Sequence, residues 1–209
     1  MIPVKVLATR RIANVSEAMA KELGMPAGYR SIAMLTTDCD DATYIALDAA
    51  TKAADVQVVY GRSFYAGAAN ASTPNAGEVI GILAARTPGD ANSGLEAALA
   101  ALERVGFEEE NGVPYLAYTV ASVGSYLAKE AGVKVGSALA YLIAPPLEAM
   151  FGLDRALKAA DVKLCKLYAP PSETNFGGGL LTGSQSACQA ACAAFRDGVA
   201  EVAGRPRER

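Results

Sequence analysis

The feature that most constrains the fold of this chain is an internal repeat. Residues 20–24 (AKELG) recur 108 residues later at 128–132 (AKEAG), and residues 52–56 (KAADV) recur unchanged 106 residues later at 158–162. Three further matches follow the same order: 33–35 with 140–142, 4–8 with 113–117, and 93–98 with 186–191. Insertions and deletions in loops produce such a drift in spacing. We therefore predict two homologous domains, spanning residues 1–106 and 107–209.

Within each half, the hydrophobic periodicity predicts strands that alternate with helices. In the first half, strands are predicted at 4–13, 31–36, 56–60 and 78–84, and helices at about 16–23, 42–54 and 91–104. In the second half, strands are predicted at 113–122, 138–144, 162–167 and 179–182, followed by a long last helix. Each half is therefore expected to be an α/β or α+β unit, a small sheet with packed helices.

The chain contains no histidine. This absence removes the commonest general base, together with the Ser-His-Asp and Cys-His arrangements of nucleophilic catalysis. No CxxC pair and no glycine-rich nucleotide-binding motif occurs in the sequence either. We therefore predict that the protein is not an enzyme and that it binds no cofactor and no metal.

The composition points to self-association. Hydrophobic residues make up 52% of the chain and charged residues only 20%, below the ~25% typical of soluble domains. A net charge of −3 argues against nucleic acid as a partner. The sequence has neither a membrane-spanning run nor a signal peptide, which predicts no membrane contact and a cytoplasmic location.

An acidic run precedes the predicted helix that starts near residue 42. Asp38, Asp40 and Asp41 fall within four residues, and such close carboxylates repel one another unless something compensates. The run could cap the helix, because an Asp at a helix start accepts hydrogen bonds from free backbone N–H groups. One Asp suffices for a cap, however, so the run could also hold a divalent or organic cation. Cys39, within this run, is not expected to be a reactive thiolate, because neighbouring carboxylates raise a thiol's pKa.

Two other features allow more than one interpretation. Cys188 and Cys192 lie one helical turn apart, as a metal or redox pair would, but they also lie on the apolar face of the last helix, which favours core packing. Both halves carry a small-residue segment after the same strand, at 62–72 and at 177–179. In a ring of such units these segments would meet at the centre. They could form a gate or an ordinary surface loop, and their glycines could serve backbone mobility or a close backbone approach.

Seven segments then carry a resemblance that covers nearly the whole chain. They are 38–44 (DCDDATY), 59–68 (VYGRSFYAGA), 76–79 (AGEV), 124–127 (GSYL), 144–149 (APPLEA), 170–176 (PPSETNF) and 181–188 (LTGSQSAC). The chain closely resembles the tandem-domain shell proteins of ethanolamine-utilisation bacterial microcompartments. The resemblance implies two circularly permuted bacterial-microcompartment (BMC) domains per chain. It also implies that three chains form a pseudohexameric tile, which joins other shell proteins in a microcompartment shell.

The resemblance also implies two kinds of pore. A gated central pore for metabolite or cofactor passage would be lined by moving loops. By position, its residues here are Phe64, Tyr65, Gly67, Asn70, Glu173, Asn175, Phe176, Gly177, Gly178 and Gly179. A small pore in each subunit would bind ethanolamine through Asp40, Glu78 and the backbone of Phe107. Ethanolamine is a cation at neutral pH, so carboxylates suit it. A ligand-binding regulator built on the same units is the alternative function, and an enzyme that uses the Asp run with a metal is a third.

Overall fold

The structure is a computed structural model that describes residues 1–63, 77–170 and 175–207. The first repeat contains β1 (Val6–Ile12), α1 (Glu17–Glu22), β2 (Ser31–Thr37), α2 (Asp40–Ala53), β3 (Val56–Ser63), β4 (Val79–Ala85) and α3 (Pro88–Leu102). The second repeat contains β5 (Glu108–Glu110), β6 (Val113–Val120), α4 (Ser125–Ala131), β7 (Ala138–Ala144), α5 (Pro146–Ala159), β8 (Val162–Tyr168), β9 (Gly177–Gly183) and α6 (Gln185–Gly204).

The sequence sets these helix limits through local chemistry. Thr87 and Ser184 each accept a hydrogen bond from the backbone N–H three residues ahead, at 3.1 Å, and so begin α3 and α6. After α1 and α4 the chain turns at Gly24 and Gly132, whose φ angles of 60° and 65° lie in the left-handed region that favours glycine.

The two sheets have the same strand order. Among the described residues, β1-β2-β4-β3 form the first sheet and β6-β7-β9-β8 form the second, which adds β5 beside β6. Every pairing is antiparallel. The molecule is therefore of the α+β type, with two small sheets that carry packed helices, as predicted.

Both edge strands bulge at the same place. Val58 and Tyr60 of β3 pair with consecutive residues of β4, so Val59 is an extra residue. In β8 the extra residue is Cys165, between Leu164 and Lys166 and 106 positions after Val59. A third irregularity lies at Leu7 in β1, and the register of β6 with β7, which begins at Leu116 and Ile143, does not extend to the equivalent position.

The chain divides into two compact units. The first unit is Pro3–Gly106 with Gly124–Leu127, and the second is Met1–Ile2, Phe107–Val123 and Ala128–Arg209. The main boundary thus falls between Gly106 and Phe107, where the sequence division was placed. The two divisions differ in two short segments. Met1–Ile2 lies in the first half of the sequence but belongs to the second unit, and Gly124–Leu127 lies in the second half but belongs to the first unit.

In each unit, helices cover the sheet. In the first unit, α2 packs beside α3, and Leu47 of α2 approaches Gly81 of β4. Alternate residues of the same sheet, such as Ile32 and Ile82, point the other way and pack with the α1 region. In the second unit, α5 and α6 pack together over the sheet and bury Phe195 completely. No helix in the described part of the chain combines the length and apolar character needed to cross a membrane.

One predicted repeat match is wrong by a helical turn. The sequence aligned 93–98 with 186–191, a spacing of 93 residues. The capping residues Thr87 and Ser184 instead give a spacing of 97, and every buried residue of α3 then coincides with a buried residue of α6. Leu95, for example, corresponds to Cys192. Alanine-rich helices look alike when shifted by one turn, which explains the error.

Candidate functional site

Two neighbouring strands of the first sheet bring the acidic residues together. β2 ends at Thr37 and α2 begins at Asp40, while Glu78 directly precedes β4. Because Thr37 pairs with Val79, Glu78 lies beside the β2–α2 connection, and its N–H donates to the Thr37 carbonyl at 2.8 Å. Asp38 is fixed in the same connection, where it accepts a hydrogen bond from the Lys5 N–H at 2.8 Å.

Asp40 is a buried carboxylate, with only 8% of its surface exposed. It accepts a hydrogen bond from the N–H of Asp41 at 2.9 Å. The Ser63 hydroxyl also hydrogen-bonds to Asp40, and its oxygen lies 3.3 Å from the carbonyl oxygen of Glu78. Since a hydroxyl carries one proton, Ser63 donates to one of these groups at a time. Tyr44 places Ser63, because the Tyr44 hydroxyl accepts from the Ser63 N–H at 2.8 Å.

The electrostatics of the pair disfavour negative charge. Burial raises the pKa of Asp40, against the opposing effects of Ser63 and the nearby backbone N–H groups. The pKa of Glu78 is also raised, first by burial and then by the negative charges of Asp40 and Asp38. Two carboxylates whose charged forms are disfavoured in one place suit a cation, which would relieve both effects.

The structure bears on both interpretations of the acidic run, as a helix cap and as a cation site. The residue before α2 is Cys39, whose side chain makes no capping bond, and Asp40 satisfies the Asp41 N–H from within the first turn. Burial raises the pKa of the Cys39 thiol, as the neighbouring carboxylates do, so the thiol stays protonated. Across 1–63, 77–170 and 175–207, no group of three or more His, Cys, Asp or Glu side chains is arranged to hold a metal ion.

Phe107, the third predicted ligand residue, belongs to the second unit. Its carbonyl oxygen accepts a hydrogen bond from the Ile2 N–H at 2.6 Å. Its ring stacks on Phe176, with centroids 5.7 Å apart and ring planes 28° from parallel. The backbone that the resemblance implicates is therefore held from both the N-terminal residues and the segment before β9.

Half of the predicted gating residues can be located. Phe64, Tyr65, Gly67, Asn70 and Glu173 lie outside the described residues. Asn175 is exposed, directly ahead of Phe176. Gly177, Gly178 and Gly179 do not form a loop, because they are the first residues of β9 and are buried. A Cβ atom at Gly178 would lie 1.9 Å from the Leu142 carbonyl oxygen, so close backbone approach explains this glycine.

The cysteine pair of the last helix belongs to the core. Cys188 is completely buried and Cys192 is 5% exposed, both within the cluster around Phe195. Burial raises the pKa of each thiol, so the packing interpretation is confirmed over a redox or metal pair.

Sequence reasoning missed three residues near the acidic run. Ser63 and Tyr44 act through hydrogen bonds between distant parts of the sequence, which no local pattern predicts. Asp48 is fully buried in α2 and accepts from the Gly124 and Leu127 N–H groups at 2.8 and 2.9 Å. The recurrence of Asp48 and Lys52 as Asp154 and Lys158 was the signal that could have drawn attention to it.

Comparison with known proteins identifies the class. Residues 31–114 match the family model described as "BMC domain". The match begins at Ser31, the first residue of β2, and ends in β6. It therefore begins after β1 and α1 of the first repeat, which agrees with a circularly permuted order. The solved structure of "a trimeric bacterial microcompartment shell protein PduB" shares the fold, at a TM-score of 0.79 and 19% identity over 96% of this chain and 89% of that one. The fold is thus that of the tandem BMC shell proteins.

Closer relatives identify the family within that class. The bacterial microcompartment shell protein EutL of Clostridium perfringens is 57% identical over 99% of this chain and 97% of its own length. The crystal structure of ethanolamine utilization protein EutL from Leptotrichia buccalis superposes with a TM-score of 0.95, at 57% identity over 100% of this chain and 98% of that one. The chain belongs to the EutL family of bacterial microcompartment shell proteins. It is a structural component of a microcompartment shell and not an enzyme.

Proposed function

We propose that three copies of this chain form a pseudohexameric shell tile, in which each copy binds a small organic cation, ethanolamine, between Asp40 and Glu78. The two repeats, 1–106 and 107–209, serve as two BMC domains, so three chains supply six domains. The observation that carries the ligand site is the pair of carboxylates Asp40, at the start of α2, and Glu78, just before β4. Burial disfavours the charged form of both, and the charge of Asp40 disfavours that of Glu78 further.

The repeat architecture supports the tile. Six domains around one axis approximate a hexagon, and hexagons fill a plane without gaps. Two sheets of identical strand order within one chain provide such domains in pairs. PduB, which shares this fold, is described as trimeric. Closed rotational symmetry is also the usual outcome of self-association in soluble proteins.

Comparison of the two units supports a ligand rather than a structural role for the carboxylates. At the equivalent start of α5 stand Pro145 and Pro146, and Glu148 in its first turn is not buried, so this kind of sheet can begin this helix without a buried carboxylate. Burying carboxylates in the first unit costs free energy that the fold does not require. An ammonium ion between Asp40 and Glu78 would recover that cost, and the Ser63 hydroxyl offers a partner for the alcohol oxygen of ethanolamine.

A gated central pore completes the proposal. Of the residues that the resemblance implies for this pore, Phe64, Tyr65, Gly67, Asn70 and Glu173 lie outside the described residues. Gly177, Gly178 and Gly179 pair with β7, and Gly178 and Gly179 also pair with β8, so these glycines would form the fixed base of the gate and not its moving loop.

Titration calorimetry with ethanolamine tests the ligand site. We expect Asp40→Asn to weaken binding at least tenfold, because it removes one of the two charges that face the ammonium. Glu148→Gln is the matched control, since Glu148 occupies the first turn of α5, and it should bind as the wild type does. Ethylene glycol, which lacks the ammonium, should not bind. Equal affinity in Asp40→Asn and the wild type would refute the site.

Light scattering and electron microscopy of concentrated protein test the tile. A mass of about 65 kDa, three times that of the 21.5 kDa chain, together with flat hexagonal sheets, is expected. Discrete oligomers that bind ethanolamine but never form sheets would instead favour the ligand-binding regulator.

A further inference from the structure

The two repeats differ in which surfaces they leave uncovered, and this difference identifies how one copy meets the next. In the first unit, the face between α2 and β3 is covered by the segment Gly124–Leu127, termed here the cover segment. The Tyr126 ring lies against Tyr44 of α2, with centroids 6.2 Å apart. The cover segment is anchored by Asp48, which accepts hydrogen bonds from the Gly124 and Leu127 N–H groups.

In the described part of the chain, the equivalent face of the second unit is not covered. Positions 106 residues further along, on α5 and β8, carry exposed large apolar side chains. They are Leu147 (63% exposed), Met150 (45%), Leu164 (39%) and Leu167 (45%). Leu164 and Leu167 pair with Leu181 and Gly179, two residues apart in β9, so both point to the side of the sheet that α5 covers. We term these four residues the bare face.

The segment of the first repeat that is equivalent to the cover segment is also exposed. The repeat spacing of 108 relates Gly124–Leu127 to residues 16–19, at the start of α1. Ala18 and Met19 are exposed, Met19 at 37%, whereas Leu127, the counterpart of Met19, is 1% exposed. We term residues 16–19 the bare segment. One chain thus carries both an uncovered face and the uncovered counterpart of the segment that covers such a face.

Side-chain sizes at the two positions are complementary. Where the cover segment meets β3, a Cβ atom at Gly61 would lie 2.7 Å from the Tyr126 hydroxyl oxygen. The large Tyr126 side chain therefore packs on a glycine. The counterparts are Leu167 for Gly61 and Ala18 for Tyr126, so here a small residue would sit on a large one. The exchange keeps the combined volume similar, as close packing requires.

The bare segment is already formed in the free chain. Ser16 begins α1 by accepting a hydrogen bond from the Met19 N–H at 3.4 Å. The counterpart of Ser16 is Gly124, which cannot cap α4, and Asp48 supplies the acceptor instead. Asp154, the counterpart of Asp48, is exposed and pairs with Lys158 at 2.5 Å. Docking residues 16–19 therefore needs no buried carboxylate, because their cap is internal.

We propose that the bare face of one copy is covered by the bare segment of a second copy, with Ala18 packed against Leu167 and Met150. The contact uses two different surfaces, so it is a head-to-tail contact, which closes into a ring when the rotation allows it. This assignment rests on the proposed trimer and identifies the residues that hold it together. This exchange of side-chain sizes favours a ring in which first and second repeats alternate. If two second repeats met instead, Tyr126 of one would clash with Leu167 of the other.

A double-mutant cycle on the full chain tests the assignment, with association measured by light scattering over a dilution series. Leu167→Gly leaves a hole under Ala18, and Ala18→Tyr clashes with Leu167, so each is expected to weaken association roughly tenfold or more. Ala18→Tyr combined with Leu167→Gly recreates the Tyr126–Gly61 pair and should restore association close to that of the wild type.

Matched controls separate folding from assembly. Lys21→Tyr adds the same ring to α1 outside the bare segment, and Val135→Gly shortens another exposed side chain, 67% exposed. Both should associate as the wild type does. Circular dichroism checks that each variant folds, and Leu167→Ala replaces Leu167→Gly if the glycine unfolds β8. A wild type that is monomeric would refute the proposed trimer itself. A trimer in which the Ala18 and Leu167 effects are absent or simply additive would refute only this interface.

Discussion

The first turns of α2 and α5 occupy equivalent places on sheets of the same strand order, yet they have opposite chemistry. α2 starts with the buried carboxylates Asp40 and Asp41, whereas α5 starts with Pro146 and Leu147, both exposed. Proline is pre-organised for a helix start and buries no charge. The second unit therefore shows what this fold needs at that place, and the carboxylates of the first unit are an addition to it. Equivalent positions in the two repeats thus separate what the fold requires from what function adds.

The largest effect that tests this comparison is expected at Asp48 and its counterpart Asp154. Asp48→Ala leaves two backbone N–H groups without their acceptor in a buried place, so we expect a loss of about 3 kcal/mol in the free energy of unfolding. Asp154→Ala removes only an exposed ion pair with Lys158 and should cost less than about 0.5 kcal/mol. Urea unfolding at a fixed protein concentration measures both. Similar losses in the two variants would mean that the repeats do not use this carboxylate differently.

A smaller effect is expected at a pair of sheet positions. Gly178 of β9 corresponds to Ile80 of β4, so one repeat accepts a large side chain where the other has none. Gly178→Ala would force a Cβ against the Leu142 carbonyl oxygen, and we expect a loss of about 2 kcal/mol. Gly204→Ala, at the end of α6 with no atom within 4 Å of the added Cβ, is the control and should change stability by less than about 0.5 kcal/mol. Thermal unfolding of both variants decides the point.

The smallest effect is the pH dependence of the acidic pair. The pKa of Asp40 is raised in the folded state, so folding is disfavoured as the pH rises above the unfolded carboxyl pKa of about 4 and through the folded pKa. Asp40→Asn should therefore be more stable than the wild type at pH 7, by less than about 1 kcal/mol, and this advantage should vanish below pH 4. Glu148→Gln should show no such trend. An Asp40→Asn variant that is less stable at pH 7 would show that the fold does need this charge.

Much of the fold follows from the sequence, because the repeat and the period of its hydrophobic residues are local signals. Each predicted strand has its counterpart in the structure, with limits that differ by a few residues. The errors come from positions where local pattern is ambiguous. The glycines at 177–179 suggested a mobile loop as well as close approach, and only the neighbouring Leu142 carbonyl explains why Gly178 has no side chain. The shift by one turn in α6 needed the capping residues to be correctly aligned.

The charged residues of the candidate site could be predicted from the sequence, but the residues that hydrogen-bond around them could not. Asp38, Asp40 and Asp41 stand together in the sequence, and the resemblance added Glu78. The hydrogen bonds of Ser63 and Tyr44 depend on β3 lying beside α2, which no short motif encodes. Asp48 accepts hydrogen bonds from backbone groups 76 and 79 residues away, so the residues around it in the sequence do not reveal its role.

The bulges in β3 and β8 preserve a record of ancestry. An extra residue stands at Val59 and again at Cys165, at the same register of two edge strands. Independent insertions at one equivalent point in both strands would be a coincidence, so the bulge was already present in the single-repeat ancestor before its gene was duplicated and fused. The two halves of the chain thus share a feature that is older than the fusion that joined them.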